Sequence, residues 1–454
     1  MNIKLSDHFT YQKLLLFAMP TIGTVMISIT YDVIDGYFVS NFIGKTAFAA
    51  VNIIYPFQLF LSVIGYMFGT GGSALIAAEL GKGDRKNANR CFTMIIKTAF
   101  WTGGFLAVLG VVFLSPVAKI IGATNDIMVY GLPYGRTLFL FLPIMIVGYA
   151  FQSLLITAEK PKFGLYISIA NMFSNLIFDY LFIVVFGWGM IGAAVATGIG
   201  ACLNGIIPLI YFSRPNSSVL RFKSCKLKMK PLLDACYNGL SEMVEDMSAC
   251  VIFVLYNYQL LRFLGEDGVA AFGVVVFVEG IFTSVFYGLA LQADSIVGYH
   301  YGARNFTELK SLLKKGSIMN LFFGVLMFFL VQCTALWVAK IYVGYDENVC
   351  ALAKHALCLY AFAFFLQGFN TYASAYFTGL NNGKVSAIIA FSRTFFFQTL
   401  AILALPVFFG ADGLWTAEAV AEVISAVVAV VLLFMHRKDY CGNSLGKRKK
   451  NNIH

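Results

Sequence analysis

The stretch 164-GLYISIANMFSNLIFDYLFIVVFGWGMIGAAVATGIGACLNGIIPLIYF-212 contains one charged residue, Asp179. Two apolar runs, roughly 164–186 and 190–213, meet at Gly187-Trp188-Gly189. A helix needs about 20 mostly apolar residues to cross a bilayer, and each run supplies them. The pattern recurs along the chain at roughly 14–39, 48–78, 92–114, 131–156, 236–262, 269–299, 316–342, 351–379, 385–408 and 411–436. The 454 residues are 59% hydrophobic and 12% charged, against roughly 25% charged in a soluble protein. So small a supply of charge cannot solvate the surface of a soluble enzyme this long. Aromatics at 16% and the lack of a sustained heptad argue against disorder, collagen and coiled coil. The expected class is an all-α polytopic membrane protein with twelve transmembrane helices.

Lys and Arg set its orientation. With the amino terminus inside, the inner segments carry Lys4 and Lys13; Lys82, Arg85, Lys86 and Arg90; Lys160 and Lys162; six basic residues over 214–230; Arg304, Lys310, Lys314 and Lys315; Lys384; and the tail 437–454 with Lys447, Arg448, Lys449 and Lys450. Outer margins hold Lys45, Lys119, Arg136, Arg262, Lys340 and Lys354. The bias places both termini in the cytoplasm. It reads as a topology signal with contact to anionic lipid, not as a nucleic-acid surface. The first apolar run is long and no small-residue cleavage site follows it, so no cleavable signal is expected. The nine cysteines form no CxxC pair, which argues against a zinc site or a disulfide framework.

The chain repeats itself at a constant offset of 221 residues. Phe42, Gly44, Ala49 and Ala50 answer Phe263, Gly265, Ala270 and Ala271. Gly81 answers Gly302, Thr157 answers Thr378, and Gly189 and Gly192 answer Gly410 and Gly413. The break falls in the basic stretch 214–230, giving an amino-terminal lobe over 1–221 and a carboxy-terminal lobe over 222–454. Six spans per half is an even number, so both halves enter the membrane in the same sense. The two lobes are then related by a parallel pseudo-two-fold along the membrane normal, with the substrate route between them.

An ionisable group in hydrocarbon is costly and needs a reason. Ten acids fall inside the spans: Asp32, Asp35, Asp179, Glu242, Glu245, Asp246, Glu279, Asp294, Glu418 and Glu422. Arg393 is the basic residue deep in a span. Acids outnumber partners, so some must hold protons or cations. At about 1.5 Å per residue, Asp35, Asn175, Asp179 and Thr197 share a depth in the outer half of the amino-terminal lobe. Asn175 lies one turn from Asp179 on the same face. Two carboxylates, an amide and a hydroxyl make a hard oxygen site suited to a proton or Na⁺. Asp32, one turn from Asp35, joins this site or faces the cavity.

The repeat does not duplicate the site, since Asp35 meets Tyr256 and Asp179 meets Leu400 at the offset. Instead Glu242, Glu245 and Asp246 gather in the inner half of span 7, and Arg393 is expected to form a structural ion pair with one of them. Glu279, near mid-membrane, is a candidate contact for a cationic substrate. Glu418 and Glu422 are a candidate second coupling pair. Some of the 45 Phe, 23 Tyr and 15 Met would give a cavity adaptable apolar and cation–π surfaces.

Together these features resemble the multidrug and toxic compound extrusion (MATE) family over nearly the whole chain. AMPTIGTVMISITYDVIDGYFVSNFIG at 18–44 resembles its span 1, with Pro20 fifteen residues before Asp35. GTGGSALIAAELGKGD and GYHYGARN resemble its paired Gly motifs, and spans 5 and 6 its N-x-x-x-D and G-A-A-x-A-T pattern. The chain looks more DinF-like than NorM-like. That resemblance implies a proton or cation site at Asp35, Asn175, Asp179 and Thr197, and a bend of the first helix at Pro20 as the site fills. It departs at Asp294 and Ser295, where many relatives carry a neutral residue and Pro, and in the acid-rich span 7.

The expected function is a secondary antiporter of the bacterial plasma membrane. It exports an organic cation or an amphipathic compound in exchange for H⁺ or Na⁺, as a monomer and without a cofactor beyond the coupling ion. A polar or anionic metabolite exporter and a lipid-linked flippase on the same two-lobe fold are the alternatives. An intramembrane enzyme lacks support, since no HExxH, GxSxG or P-loop occurs and His8, His300, His355, His436 and His454 do not pair at ligand spacing.

Overall fold

Short polar joints start the helices. Thr10 accepts from Lys13 N, Asp84 from Asn87 N, Thr124 from Ile127 N, Asn305 from Glu308 N and Asp346 from Asn348 N. Each side-chain oxygen satisfies an amide that the first helical turn leaves unbonded. The computed structural model describes residues 3–441. The side chains of Asp32 and Val33, and the tail residues Lys447, Arg448, Lys449 and Lys450, lie outside the described residues.

In the first half run α1 (Tyr11–Phe38), α2 (Lys45–Gly81), α3 (Arg85–Ile121), α4 (Asn125–Leu140), α5 (Leu142–Thr157), α6 (Pro161–Asp179) and α7 (Gly189–Ser213). A linker then lies along α3, where Arg221 N donates to Asn89 Oδ1 at 2.7 Å and Lys223 N to Thr93 Oγ1 at 3.0 Å. It leads into α8 (Met229–Asn238), a short helix that ends at Gly239 and stands apart from the following span, whose apolar run had suggested a start near 236. The second half has α9 (Leu240–Gly302), α10 (Phe306–Val343), α11 (Glu347–Tyr360), α12 (Phe364–Gly379), α13 (Gly383–Phe391), α14 (Gln398–Phe409), α15 (Ala411–Met435) and α16 (Arg437–Cys441).

Ten helices among the described residues are long and apolar enough to cross a membrane, eleven when α4 and α5, bent by 63°, count as one span. Helix α9 adds another. Its 63 residues would reach about 95 Å at 1.5 Å each, three times the hydrocarbon thickness of about 30 Å. The chain turns at Gly265, whose φ of +66° is closed to most side chains. Gly44, its repeat equivalent, turns α1 into α2 at φ +126°. Gly189 and Gly410, also repeat equivalents, have φ of +57° and +59° at the start of the last span of each half. Divided at Gly265, the fold has twelve spans in two matching sets.

The two halves meet along the carboxy-terminal stretches of α2 and α9, and glycine makes the approach possible. A Cβ on Gly81 would lie 2.0 Å from Tyr299 O, and a Cβ on Gly302 would lie 2.0 Å from Ala78 O. Those contacts exchange under the 221-residue offset, as a pseudo-two-fold requires. Ser73, Thr157 and Ser295 join across the seam through hydroxyl contacts of 2.7–2.9 Å. The amino-terminal segment fastens both halves at this end. Leu5 N donates to Glu159 Oε1 at 2.8 Å, Phe9 N donates to Glu308 Oε1 at 2.9 Å, and Lys315 Nζ donates to Phe9 O. The Phe9 ring is fully buried beneath them.

Candidate functional site: a buried carboxylate pair and an acidic second lobe

Helices α1, α6 and α7 bring Asp35, Asn175, Asp179 and Thr197 to one place. All four are buried, Asn175 and Asp179 completely. The Thr197 hydroxyl lies 3.2 Å from Asp35 Oδ1 and 2.9 Å from Ala193 O. The Asn175 and Asp179 side chains reach toward the Asp35 carboxyl, and the two carboxyls act on each other's charge. Neither the Asn175 amide nor the Asp179 carboxyl makes a well-formed hydrogen bond. No Lys or Arg pairs with either acid among the described residues. Two carboxyls in a low-dielectric setting cannot both stay charged without a compensating positive charge. The Asp32 side chain lies outside the described residues.

Backbone irregularity marks the site in a way the sequence does not announce. A π-helical segment, Tyr180–Val185, begins directly after Asp179, and another, Val39–Ile43, begins four residues after Asp35. The Val39 N–H donates to Asp35 O and Gly36 O. Such bulges recur at functional sites because they re-aim side chains and leave a helix easier to rearrange. Pro20 is buried in α1 about four turns away, with Thr24 Oγ1 donating to its carbonyl at 3.0 Å. Its ring removes an N–H donor from the helix there. A small cavity of about 60 Å³ opens beside it, lined by Thr21, Thr24, Ser28, Tyr149, Gln152 and Asn204 among others.

The second lobe sorts its acids into groups. Arg393, inside the π-helical segment Ser392–Phe397, lies between Glu245, to which it is hydrogen-bonded, and Glu422 at 3.8 Å, and it also bonds Thr371. Asn370 Nδ2 donates to Glu422 Oε2 at 2.5 Å. Gln398 donates to Glu418. Glu279 is half-buried, with Tyr360 and Gln367 as its hydrogen-bond neighbours. Glu242 accepts from Tyr287 Oη at 2.8 Å, and Asp246 is half-buried nearby. The neutral partners Thr371, Asn370, Gln398, Tyr287 and Tyr360 are the residues that charge counting misses. A lone amide or hydroxyl in an apolar run was the only signal available for them.

The arrangement combines an acidic pair in one lobe, an acid-rich wall in the other and a seam between them. Residues 20–181 and 243–402, more than half of the chain, match the MatE family model, one block in each half. The chain belongs to the MatE family. It is 21% identical over 433 residues to the multidrug export protein MepA of Staphylococcus haemolyticus (strain JCSC1435), covering 94% of each chain. It is 21% identical over 372 residues to the probable multidrug resistance protein YoeA of Bacillus subtilis (strain 168), covering 80% of each. A multidrug resistance MATE family transporter of the MOP superfamily, solved in an outward-facing conformation, has the same fold. The TM-score is 0.89 at 19% identity, over 95% of this chain and 97% of that one. A MATE crystal structure in the bent conformation matches with TM-score 0.86 at 19% identity, over 95% and 96%. The protein is therefore a multi-pass membrane transporter with the twelve-helix, two-lobe MatE architecture.

The Arg393 cluster yields a stability prediction. Removing one partner of a buried ion pair costs about 3–5 kcal/mol because it strands the other. Arg393→Met should lower the unfolding midpoint of the purified protein by several degrees in a thermal scan. Adding Glu245→Gln should recover part of that loss. An unchanged midpoint in Arg393→Met would show that the cluster does not support the fold.

Proposed function

We propose that the chain works in a bacterial cell membrane, with both termini in the cytoplasm, as a monomeric secondary antiporter. It exports cationic or amphipathic drugs and metabolites in exchange for H⁺ or Na⁺. The observation that carries this reading is the convergence of Asp35, Asn175, Asp179 and Thr197 in a buried pocket with no basic partner among the described residues. The relatives named for multidrug export support the substrate side.

In this reading the coupling ion enters the pocket from outside and neutralises the carboxyl pair. The liganded pocket favours one course of α1, which bends at Pro20, and so favours one lobe arrangement. Substrate occupies the space between the lobes against Glu279. Ion and substrate must weaken each other's binding or favour opposite states, since linkage is reciprocal. The alternatives would need basic groups free to hold an anion or a pyrophosphate. Arg393 is held by Glu245 and Thr371, which supports the cationic reading over them.

The test is ethidium efflux from proteoliposomes under a pH gradient and a Na⁺ gradient imposed separately, with Asp35→Asn alongside. Efflux driven by one gradient and lost in the variant names the ion. Intact protein that moves no cation under either gradient overturns the cationic reading.

A further inference from the structure

We propose that Asp294 is a second proton-carrying residue of the transport cycle, seated at the seam between the lobes, neutral while the seam is shut and ionised when the seam opens to water. The inference rests on the rocking of the lobes in the proposed function but does not use the outer pocket.

Asp294 lies in the second half of α9, where α9 presses on α2. It is fully buried, and neither carboxyl oxygen has a hydrogen-bond partner. Its chain neighbours Ala293 and Ser295 are buried too, and Gly379 of α12 packs against the main chain here, where a Cβ would stand 3.2 Å from the Asp294 backbone carbonyl. Ser295, the next residue, is tied to Ser73 of α2 and Thr157 of α5 at 2.9 and 2.8 Å. At the repeat offset Asp294 answers Ser73 itself, so the carboxyl occupies a place where the other lobe has a neutral hydroxyl. The charged group that acts on it is Glu242, from the first turn of α9, and that group is an acid. No cation among the described residues offsets it.

A fully buried carboxylate with no protein donor and no cation beside it is a state the protein cannot hold, whereas the protonated acid is tolerable. The shut seam therefore selects the neutral form. Opening the seam parts α2 from α9 and admits water, which restores the ordinary preference for the carboxylate. One proton leaves Asp294 for water as the seam opens, and one returns from water as it shuts. Acid on the side where the seam opens thus favours the shut arrangement. With the amino terminus inside, that side is the cytoplasm, and the residue ties lobe position to internal pH.

The experiment places nitroxide-bearing unnatural amino acids at Lys86 and Thr307, exposed positions beside the seam on α3 and α10. The nine cysteines stay untouched. The full chain is held in lipid nanodiscs without substrate or gradient. The ratio of shut to open distances is read between about pH 5 and pH 8 in the Asp35→Asn/Asp179→Asn background, so the outer pocket cannot titrate. A one-proton linkage changes that ratio by up to tenfold per pH unit, rising with acid. Adding Asp294→Asn should remove one proton's worth of that slope and hold the seam mostly shut at every pH. Asp294→Ala serves equally if the amide folds poorly. Glu79, Glu242, Glu308, His8 and His300 are common to both backgrounds, so the difference in slope belongs to Asp294. Equal slopes in the two backgrounds, or a seam that never opens in the protein that keeps Asp294, overturn the proposal. Failure of antiport itself would appear in the ethidium assay and leave this slope in place.

Discussion

Gly302→Leu is expected to hold the seam ajar and to slow transport by about two orders of magnitude. A Cβ at this position would stand 2.0 Å from Ala78 O, a backbone atom that cannot swing aside as a side chain can. Overpacking a well-packed contact costs about 1–3 kcal/mol and sometimes more. Contact with main chain belongs at the upper end of that range. About 3 kcal/mol against the shut arrangement lowers its population by roughly 150-fold. Nothing requires the open arrangement to pay the same cost, so the variant should insert, fold and bind lipid normally. Gly81→Leu should act alike, because its Cβ would meet Tyr299 O at the same 2.0 Å through the pseudo-two-fold. Gly104→Leu is the control, since nothing lies within 4 Å of a Cβ there. The measurements are efflux rate at matched protein and the Lys86–Thr307 label distance. Transport by Gly302→Leu within about threefold of the unmodified protein would show that the seam need not shut.

The seam also explains what was legible in the sequence. Gly44, Gly265, Gly81 and Gly302 announced the repeat because backbone geometry and close approach admit almost no other residue, so each half had to keep them. Apolar length marked the spans for a similar reason, since hydrocarbon tolerates few alternatives. Within α9 the gap between the apolar runs 236–262 and 269–299 marked the same division that the Gly265 turn makes. Depth along straight helices was enough to group Asp35, Asn175, Asp179 and Thr197, because all four lie on helices α1, α6 and α7 at one level. The π-helical segments beside Asp35, Asp179 and Arg393 were hidden, since a one-residue insertion in a helix ladder leaves apolar composition unchanged. The strap from Leu5 to Phe9 was hidden as well. Its fastenings to Glu159, Glu308 and Lys315 join residues 154 to 306 positions apart, and no local pattern encodes such a distance. The Arg393–Glu245 pair was legible from charge, but the neutral members of the second-lobe network escaped because amides and hydroxyls carry no charge to count.

Asp179→Asn is expected to remove the power to concentrate substrate while leaving the fold intact. The side chain is fully buried and makes no well-formed hydrogen bond or ion pair, so an amide of the same shape strands no partner. This is the reverse of Arg393, whose removal leaves Glu245 and Glu422 behind. A carboxyl that exchanges one proton per substrate converts each unit of pH gradient into about 1.36 kcal/mol. At zero membrane potential that supports about tenfold accumulation per unit, or about 100-fold across two units. An amide carries no proton, so the variant should equalise substrate across the bilayer at a ratio near one. Thr197→Val makes the informative companion. It removes a hydroxyl 3.2 Å from Asp35 but keeps both carboxyls, and a net hydrogen bond of about 1 kcal/mol should alter the ion affinity by several-fold without uncoupling the protein. The quantity to measure is the steady-state substrate ratio in proteoliposomes clamped with valinomycin and K⁺, under the gradient that drives the unmodified protein. A ratio near one for Asp179→Asn, with a ratio near that of the unmodified protein for Thr197→Val, assigns the coupling load to the carboxyl pair. If Asp179→Asn still concentrates substrate, the load travels elsewhere, and the acids grouped around Arg393 become the place to look.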